Sequence, residues 1–522
     1  MNTKMCGIFG YISNKENCNI ELLKQYGDKC SHRGPDSTKD LIIHSQNNTM
    51  FLQFHRLAIN GLNEKSNQPM RLNIHTHITL LCNGEIYNYK ELAEKYNFTL
   101  LTGSDCEIII HLYSIMPLES LIRELDGVFS FIIYDSLKEV FIIGHDPLGV
   151  RQLYWFFNEE TNELGVASEM KSLYNLNQNI KFYPPGSYTY YFLKTKQLHT
   201  YSYYTFEYSL IEDVEENKIT DNIKNKLEES VKKRLITDRP FGCLLSGGLD
   251  SSIITSIVAK LVGGENVNTF AIGLKGSPDL LAAQKVADYL KTNHTNVEVS
   301  EEEMLSAIED TIYQIESIDT TTIRASVPMF LLSKYIRDNT DIKVIFSGEG
   351  SDEASGSYLY FHNAPNPNQF QEECIRLLRD VRMFDVLRGD KTTAGAGLEL
   401  RVPFFDKSFL EYYMGIDPSK KVVRDGMEKY LLRKAFENDL PEEIVWRRKD
   451  GFSDGVSSFD KPWYMIIDEY AQSKFQLSEK DLYKTLFIKH YSGCEDIIPY
   501  QWMPKWTPSN TVGDNPSGRL IV

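Results

Sequence analysis

One cysteine, two glycine-rich turns and a few scattered polar residues carry the chemistry of this chain. Cys6 heads a short apolar run, Cys6-Gly-Ile-Phe-Gly-Tyr11. A thiol is a strong nucleophile once its proton has somewhere to go. Other segments supply what such a nucleophile needs. Arg56, within His55-Arg-Leu-Ala-Ile59, offers a guanidinium to a carboxylate. Asn83 and Gly84, within Asn83-Gly-Glu-Ile-Tyr-Asn88, offer an amide and a backbone N–H to an oxyanion. Asp105, within Gly103-Ser-Asp105, offers a carboxylate to an ammonium. Together they describe a receptor for a free α-amino acid, with a thiol to attack it. A buried structural thiol is the alternative fate of Cys6.

No neighbouring His or Asp stands out as a base for the thiol. Were Cys6 the first residue, its own α-amine, which titrates near about 8 in short peptides, would serve. Met1–Met5 stand in the way. Their removal is therefore expected, either through initiation at Met5 and trimming of that methionine or by cleavage of a short leader.

The second constellation begins at Ser246-Gly-Gly-Leu-Asp-Ser-Ser252, after the apolar run Phe241–Leu245. Gly247 and Gly248 let the backbone turn and present N–H groups to an anion. A helix start behind them adds unpaired N–H groups and positive partial charge. Ser246, Ser251 and Ser252 add hydroxyls. Such a site wants phosphate. No Gly-Lys-Ser/Thr follows, so it is not a Walker loop. The SGGxDS pattern resembles the loop of enzymes that cleave ATP between the α and β phosphates, with Asp250 placed to hold Mg²⁺. A second turn, Phe346-Ser-Gly-Glu-Gly-Ser-Asp-Glu353, follows another apolar run and bears Glu349, Asp352 and Glu353. In a parallel sheet both turns project from one carboxyl edge. The plainer alternatives are a glycine turn before a helix and an acidic surface turn.

These residues need scaffolds, and 522 residues suggest two or more domains. Up to about residue 200 the chain is strand-rich: Phe129–Tyr134 and Val140–Gly144 read as a hairpin, Ile78–Cys82, Leu153–Phe157 and Gly186–Phe192 as further strands. Ser104 to Met116 reads as a helix capped by Ser104. Glu207–Asp221 is acidic and weakly patterned, as a linker would be. Then Ile219, Ile223, Leu227, Val231 and Leu235 recur every four residues, predicting an amphipathic helix. Beyond it strand and helix patterns alternate: strand 241–245, helix 251–262, strand 268–274, helix 279–291, strand 295–299, helix 302–316 and strand 342–346. That order implies a parallel sheet wrapped by helices. The tail beyond Gly493 reads as irregular.

Bulk properties exclude several classes. Net charge is −16 with no basic stripe, which argues against a nucleic-acid or membrane-surface partner. No apolar run approaches the length of a membrane span, and Met5–Ile12 lacks a small-residue cleavage site. Eight cysteines without CxxC pairs fit neither a zinc site nor a disulfide framework, which points to a reducing, cytoplasmic compartment.

Taken together the motifs resemble the glutamine-dependent asparagine synthetases over almost the whole chain. CGIFGYI, SHRGPD, NGEIYN and GSDCE are similar to those of glutamine amidotransferase domains of the N-terminal-nucleophile type; LLSGGLDSS, AIGLKGSPDL, TTIRAS, SGEGSDE, LELRVPFFD and MEKYLLR to those of the synthetase half. The resemblance implies an α+β domain over 6–205, with β-sheets sandwiched by helices, and an α/β domain of the pyrophosphatase-loop type over 214–522. It implies that Cys6 attacks the side-chain amide of glutamine while Asn83 and Gly84 hold the oxyanion. Arg56 and the backbone of Leu57, Ala58, Ile59 and Asn60 would hold the α-carboxylate; Glu85 and Asp105 the amino group. ATP would lie among Leu245, Ser246, Ile272, Ser347 and Gly348, with pyrophosphate leaving into the 246–252 loop. The implied Mg²⁺ ligands are Asp250 and Asp352, Lys429 and Lys449 neutralise pyrophosphate, Thr322 and Arg324 orient aspartate, and Glu349 moves a proton. Relatives are often homodimers.

Three segments depart from the family pattern: Ala354–Ser357, where relatives carry a bulky residue and paired glycines; Ala396, where they carry an aromatic or histidine; and Trp446-Arg-Arg-Lys-Asp-Gly451. Compensating packing is expected at each. A related synthetase acting on another carboxylate, or a weakly active ATP-binding regulatory homologue, remain the alternative functions.

Overall fold

Short, near-continuous apolar runs in the N-terminal half build two sheets that are buried on both faces and share an inner one. The computed structural model of the chain describes residues 6–14, 18–45, 48–211, 215–458, 460–507 and 515–517. Met1–Met5, whose removal is expected, lie outside them. The strands run β1 (Gly7–Ser13), β2 (Ser37–Ser45), β3 (Asn48–Arg56), β4 (Ile78–Ile86), β5 (Gly127–Asp135), β6 (Val140–His145), β7 (Tyr154–Asn158), β8 (Glu163–Ala167), β9 (Lys181–Phe182), β10 (Ser187–Phe192) and β11 (Gln197–Ser202). One sheet has the order β2-β3-β1-β8-β7-β9, the other β11-β10-β6-β5-β4, and the pairings are antiparallel.

Successive side chains point to opposite faces, and the packing follows. Ile8 and Ile12 of β1 turn inward with Leu52 and Phe54, meeting Leu81, Ile132 and Phe141 of the second sheet. Phe9 and Tyr11 turn outward, in one cluster with Leu23 of α1 (Ile20–Gly27). On the far side of the second sheet, Leu80, Phe131 and Ile133 pack against Ile108, Ile109 and Leu112 of α2 (Glu107–Ile115). The result is two sheets between helices, as expected.

Two expectations change here. β4 continues through Asn83-Gly84-Glu85 to Ile86, because it pairs with β5 along its whole length, Ile78↔Asp135 to Ile86↔Gly127. The oxyanion candidates thus sit on a strand, not in the loop after one. Helix α2 starts at Glu107 and Ser104 does not cap it. The Glu107 carboxylate instead accepts from the N–H groups of Leu101 and Thr102 (both 2.7 Å) and from the Thr102 hydroxyl (2.6 Å), which draws residues 101–106 into a loop ahead of the helix.

The C-terminal half opens with α3 (Glu216–Lys233), whose Ile219, Ile223, Leu227 and Val231 are buried, as their four-residue recurrence predicts. A parallel sheet follows, with β12 (Phe241–Leu244), β13 (Asn268–Leu274), β14 (Asn293–Val299), β15 (Val344–Phe346) and β16 (Glu399–Arg401) in the order β14-β13-β12-β15-β16. Helices α4 (Leu249–Val262), α5 (Pro278–Leu290), α6 (Thr320–Asn339) and α7 (Asp385–Ala396) connect or flank these strands. The helix expected over 302–316 divides at Ala307 into Glu301–Ser306, capped by Ser300, and Ile308–Ile315. β13 and β15 flank β12 on opposite sides. The chain therefore reverses its direction of sheet building at β12, and a crevice opens beyond its carboxyl end. Among the described residues no helix is long and apolar enough to cross a membrane.

Candidate active sites

The first site forms where β1, β3 and β4 converge. Cys6 immediately precedes β1, and the register Gly7↔His55 sets it beside the end of β3. The Leu57 N–H donates to Cys6 Sγ at 3.3 Å, and the thiol lies 3.4 Å from the Leu57 carbonyl. Burial pushes the Cys6 thiol up to about 12, so it is protonated at neutral pH. Arg33 Nε donates to the Cys6 carbonyl at 3.0 Å.

Asn83 is buried, and its Nδ2 has no hydrogen-bond partner among the described residues. An orphaned buried donor is costly, and here it stands on a strand beside the thiol's own sheet. Gly84 has φ +156°, and a Cβ there would fall 2.2 Å from the Val128 carbonyl, so only glycine lets β4 lie this close to β5. Asp105 Oδ2 accepts the Ile86 N–H at 2.7 Å, tying the 101–106 loop to the end of β4. Burial pushes the Asp105 carboxyl up to about 6. Glu85 accepts from Asn60 Nδ2 at 2.5 Å. Burial raises its carboxyl well above the usual range, and the charge of Asp105 adds to the effect. Arg56 donates to the carbonyl of Asn63 and Oδ1 of Asn67 (both 2.9 Å) and to the Gly61 carbonyl. All three are neutral acceptors, so among the described residues no carboxylate pairs directly with its charge. The segment 57–60 is fastened to the C-terminal half: Arg239 Nε donates to the Ala58 carbonyl (2.8 Å) and the Asp238 N–H to that of Ile59 (3.0 Å).

The second site is the crevice beyond β12, a cavity of about 200 Å³. Leu245, Ser246, Gly248, Asp250, Ser251, Ile272, Thr322, Ser347, Gly348, Glu349, Asp352, Lys429 and Lys449 all border it. Gly247 and Ser252 stand behind the loop. Gly247 has φ +70°, and a Cβ there would lie 2.4 Å from the backbone of Ala282 and Ala283, so the turn is pressed against α5. Ser252 Oγ donates to the Gly248 carbonyl at 2.7 Å. Ser246 and Ser251 meet at 3.1 Å.

Asp250 and Asp352 converge on one ammonium. Lys429 Nζ lies 2.7 and 2.6 Å from the two oxygens of Asp250 and also contacts Asp352 Oδ1. Lys449 donates to both oxygens of Asp352, at 2.7 and 2.6 Å. Although burial opposes it, the two lysines hold the Asp352 carboxyl well below the usual range. Glu349 pairs with Arg388, yet burial still raises its carboxyl.

Of the two residues expected to orient aspartate, the structure brings only Thr322 to the cavity. Arg324 lies two residues on along α6 and turns to Glu479, with Nε to Oε1 at 2.7 Å and Nη2 to Oε2, and to Asn515 Oδ1 at 2.8 Å. Residues not singled out from the sequence complete the wall. Arg388 and Asp385 come from α7, which carries no recognisable signature. Asp279, raised to about 6 by burial, pairs with Arg447 at 2.9 Å. Asp279 lies within the quoted GLKGSPDL and Arg447 within WRRKDG, so a signal for both was present. Trp502 enters from the C-terminal segment.

The departures fall behind the cavity or on its rim. Ser357 Oγ donates to Asp352, and Ser355 Oγ to the Ser351 carbonyl at 2.5 Å. Ala396 is fully buried, and at neighbouring Gly395 a Cβ would meet Gln314 at 2.7 Å, so α7 packs tightly here.

Two family models match the chain: a glutamine amidotransferase domain over residues 5–219, and asparagine synthase over 222–377 and 363–507. The asparagine synthetases [glutamine-hydrolyzing] of Mus musculus and Bos taurus are 40% identical, and that of Homo sapiens 39%, each match covering 99% of this chain and 99% of the relative. With both family models matched along the chain and relatives 40% identical over 99% of it, the chain belongs to the glutamine-hydrolysing asparagine synthetase family.

Proposed function

We propose that this protein makes L-asparagine from L-aspartate, using ammonia released from glutamine and the cleavage of ATP to AMP and pyrophosphate. The observation that carries this is the presence, in one chain, of a thiol at the head of β1 and an orphaned amide donor on β4, together with a glycine-rich loop whose Asp250 converges with Asp352 on one lysine.

In the first site Cys6 Sγ attacks the glutamine amide carbon. Asn83 Nδ2 and the Gly84 N–H take the developing oxyanion. The thiol proton passes to the α-amine of Cys6, once Met1–Met5 are removed, and from there to the leaving ammonia. Water then hydrolyses the glutamyl thioester to glutamate. Arg56, with the backbone of Leu57–Asn60, holds the α-carboxylate. Glu85 and Asp105, when ionised, hold the ammonium.

In the second site the aspartate β-carboxylate displaces pyrophosphate from the α-phosphorus of ATP, giving β-aspartyl-AMP. The N–H groups and hydroxyls of the 246–252 loop receive pyrophosphate, and Lys429 and Lys449 neutralise it. Leu245 and Ile272 supply apolar wall, and Ser347 and Gly348 close the turn opposite. The Asp250 and Asp352 carboxylates fit Mg²⁺, which takes one or two protein carboxylates and completes its shell with phosphate oxygens and water. When bound it supplies charge neutralisation on the phosphates. Thr322 borders the acceptor, with Arg324 acting from behind it. Ammonia attacks the β-carbonyl of β-aspartyl-AMP, the acyl C–O bond breaks and AMP leaves, and Glu349 accepts a proton from the incoming nitrogen; its raised carboxyl suits that task. Among the described residues none of the cysteines is joined in a disulfide, which supports a cytoplasmic, reducing setting. A homodimer is the expected assembly, checked by light scattering.

Purified protein given aspartate, glutamine and Mg-ATP is expected to yield asparagine with stoichiometric AMP and pyrophosphate. ADP and phosphate as products would overturn the reading. Intact-mass measurement tests the base: the mature chain begins at Cys6. A chain that keeps Asn2–Met5 yet hydrolyses glutamine refutes the role of the α-amine.

A further inference from the structure

The C-terminal segment folds back onto the second site. Trp502 is only 7% exposed and borders the cavity, its ring 5.3 Å from that of Tyr358. Its backbone N–H donates to Asp319 Oδ1 at 2.8 Å. Asp319 Oδ2 accepts from the Thr322 N–H at 2.9 Å and the Thr322 hydroxyl at 2.8 Å. One buried carboxylate, the cap of α6, therefore joins Trp502 to the threonine that faces the cavity.

Aromatic packing fixes the segment in turn. Trp502 lies 6.1 Å from Tyr360, and Trp506 lies 6.0 Å from Tyr360 and 5.8 Å from Phe361. Farther on, Asn515 accepts from Arg324 and the Ser517 hydroxyl donates to Asp454 Oδ1 at 2.9 Å. The first turn of α6 is held by residues nearly two hundred positions away in sequence. A buried carboxylate that loses a donor must find another or shift. Loosening Trp502 therefore reaches Thr322 through Asp319.

We propose that the segment around Trp502 is a working part of the acceptor site, in which Trp502 forms wall and acts through Asp319 to position Thr322 for the amino-acid acceptor. This rests on the reading that Thr322 orients aspartate. On the same reading the 246–252 loop, not Thr322, takes the ATP phosphates, so the effect is expected on the acceptor rather than on the nucleotide.

The test uses full-length Trp502→Ala and Trp502→Phe. Trp502→Ala is expected to raise the KM for aspartate about tenfold, with the KM for ATP and ATP-independent glutamine hydrolysis within about twofold of the unmodified protein. Trp502→Phe keeps an aromatic face and is expected to recover most of the loss. If the alanine variant does not fold, Trp502→Leu carries the same expectation. An unchanged aspartate KM, a parallel rise for aspartate and ATP, or no recovery with phenylalanine overturns the proposal. Absence of asparagine formation by the unmodified protein would instead refute the reaction assigned above.

Discussion

Arg388 and Asp390 stand two residues apart on α7 and face different reactions. Arg388 pairs with Glu349 in the ATP cavity. Asp390 accepts from Arg33 at 2.8 Å, and the same guanidinium holds the carbonyl of Cys6 at 3.0 Å and Glu169 at 2.6 Å. One helix turn thus touches both sites through charged groups that are fully or almost fully buried. Breaking one partner of a buried pair strands the other. Asp390→Asn is expected to lower glutamine-dependent synthesis about tenfold or more while ammonia-dependent synthesis holds. The ratio of the two activities in one preparation measures it.

The orphaned amide of Asn83 gives a sharper expectation. Asn83→Ala removes one oxyanion donor, a loss of about 10²–10³ in the rate of glutamine hydrolysis. Ammonia-supported synthesis is expected to continue. Equal loss of both activities would show that Asn83 serves the fold instead.

Asp105 sets a pH dependence. Its carboxyl is raised to about 6, chiefly by burial. Below that pH it is protonated and no longer attracts the ammonium of glutamine, so kcat/KM for glutamine hydrolysis falls as pH drops through 6. For stability the sign is opposite. An acid whose folded value lies above its unfolded one favours the folded state when protonated, and this contribution is lost as pH rises from the ordinary aspartate value of 3.8 through 6. Asp105→Asn is therefore expected to raise the melting temperature at pH 7 while weakening glutamine binding, read by thermal melts beside glutamine titration.

Lys449 makes the converse case. It helps hold the Asp352 carboxyl low, a contribution present above the unfolded carboxylate range and lost as pH falls below it. Lys449→Met removes charge-assisted bonds of roughly 1.5–3 kcal/mol each. Pyrophosphate release is expected to drop sharply with glutamine hydrolysis unchanged, and acid unfolding to begin at a higher pH.

The scaffolds were legible because hydrophobic period betrays them. The four-residue spacing of Ile219 to Val231 allows one buried helix face, and the short apolar run after Cys6 is of strand length. Ser246–Ser252 was legible because few folds need two glycines, an acid and two hydroxyls in that order. Other features depend on partners remote in sequence. The extension of β4 through Asn83–Ile86 follows from pairing with β5, and the late start of α2 from where Glu107 finds its donors. Arg388, Asp390 and Trp502 acquire meaning only when α7 and the C-terminal segment meet the cavity, and nothing in their local sequence announces it. Arg324 shows the limit from the other side: its place in TTIRAS suggested the cavity, but a helix turns position 324 away from position 322.

The four charges of Asp250, Asp352, Lys429 and Lys449 cancel one another at rest. A neutral cradle exerts little long-range pull on a polyanion, and a chain of net charge −16 exerts none in its favour. Nucleotide is thus expected to arrive without attractive steering, at a rate that does not fall as ionic strength rises. Entry becomes an exchange, in which phosphate oxygens take over the lysines from the carboxylates and free those carboxylates for a cation. The metal and the nucleotide then favour each other's capture, so each lowers the concentration at which the other half-fills the site.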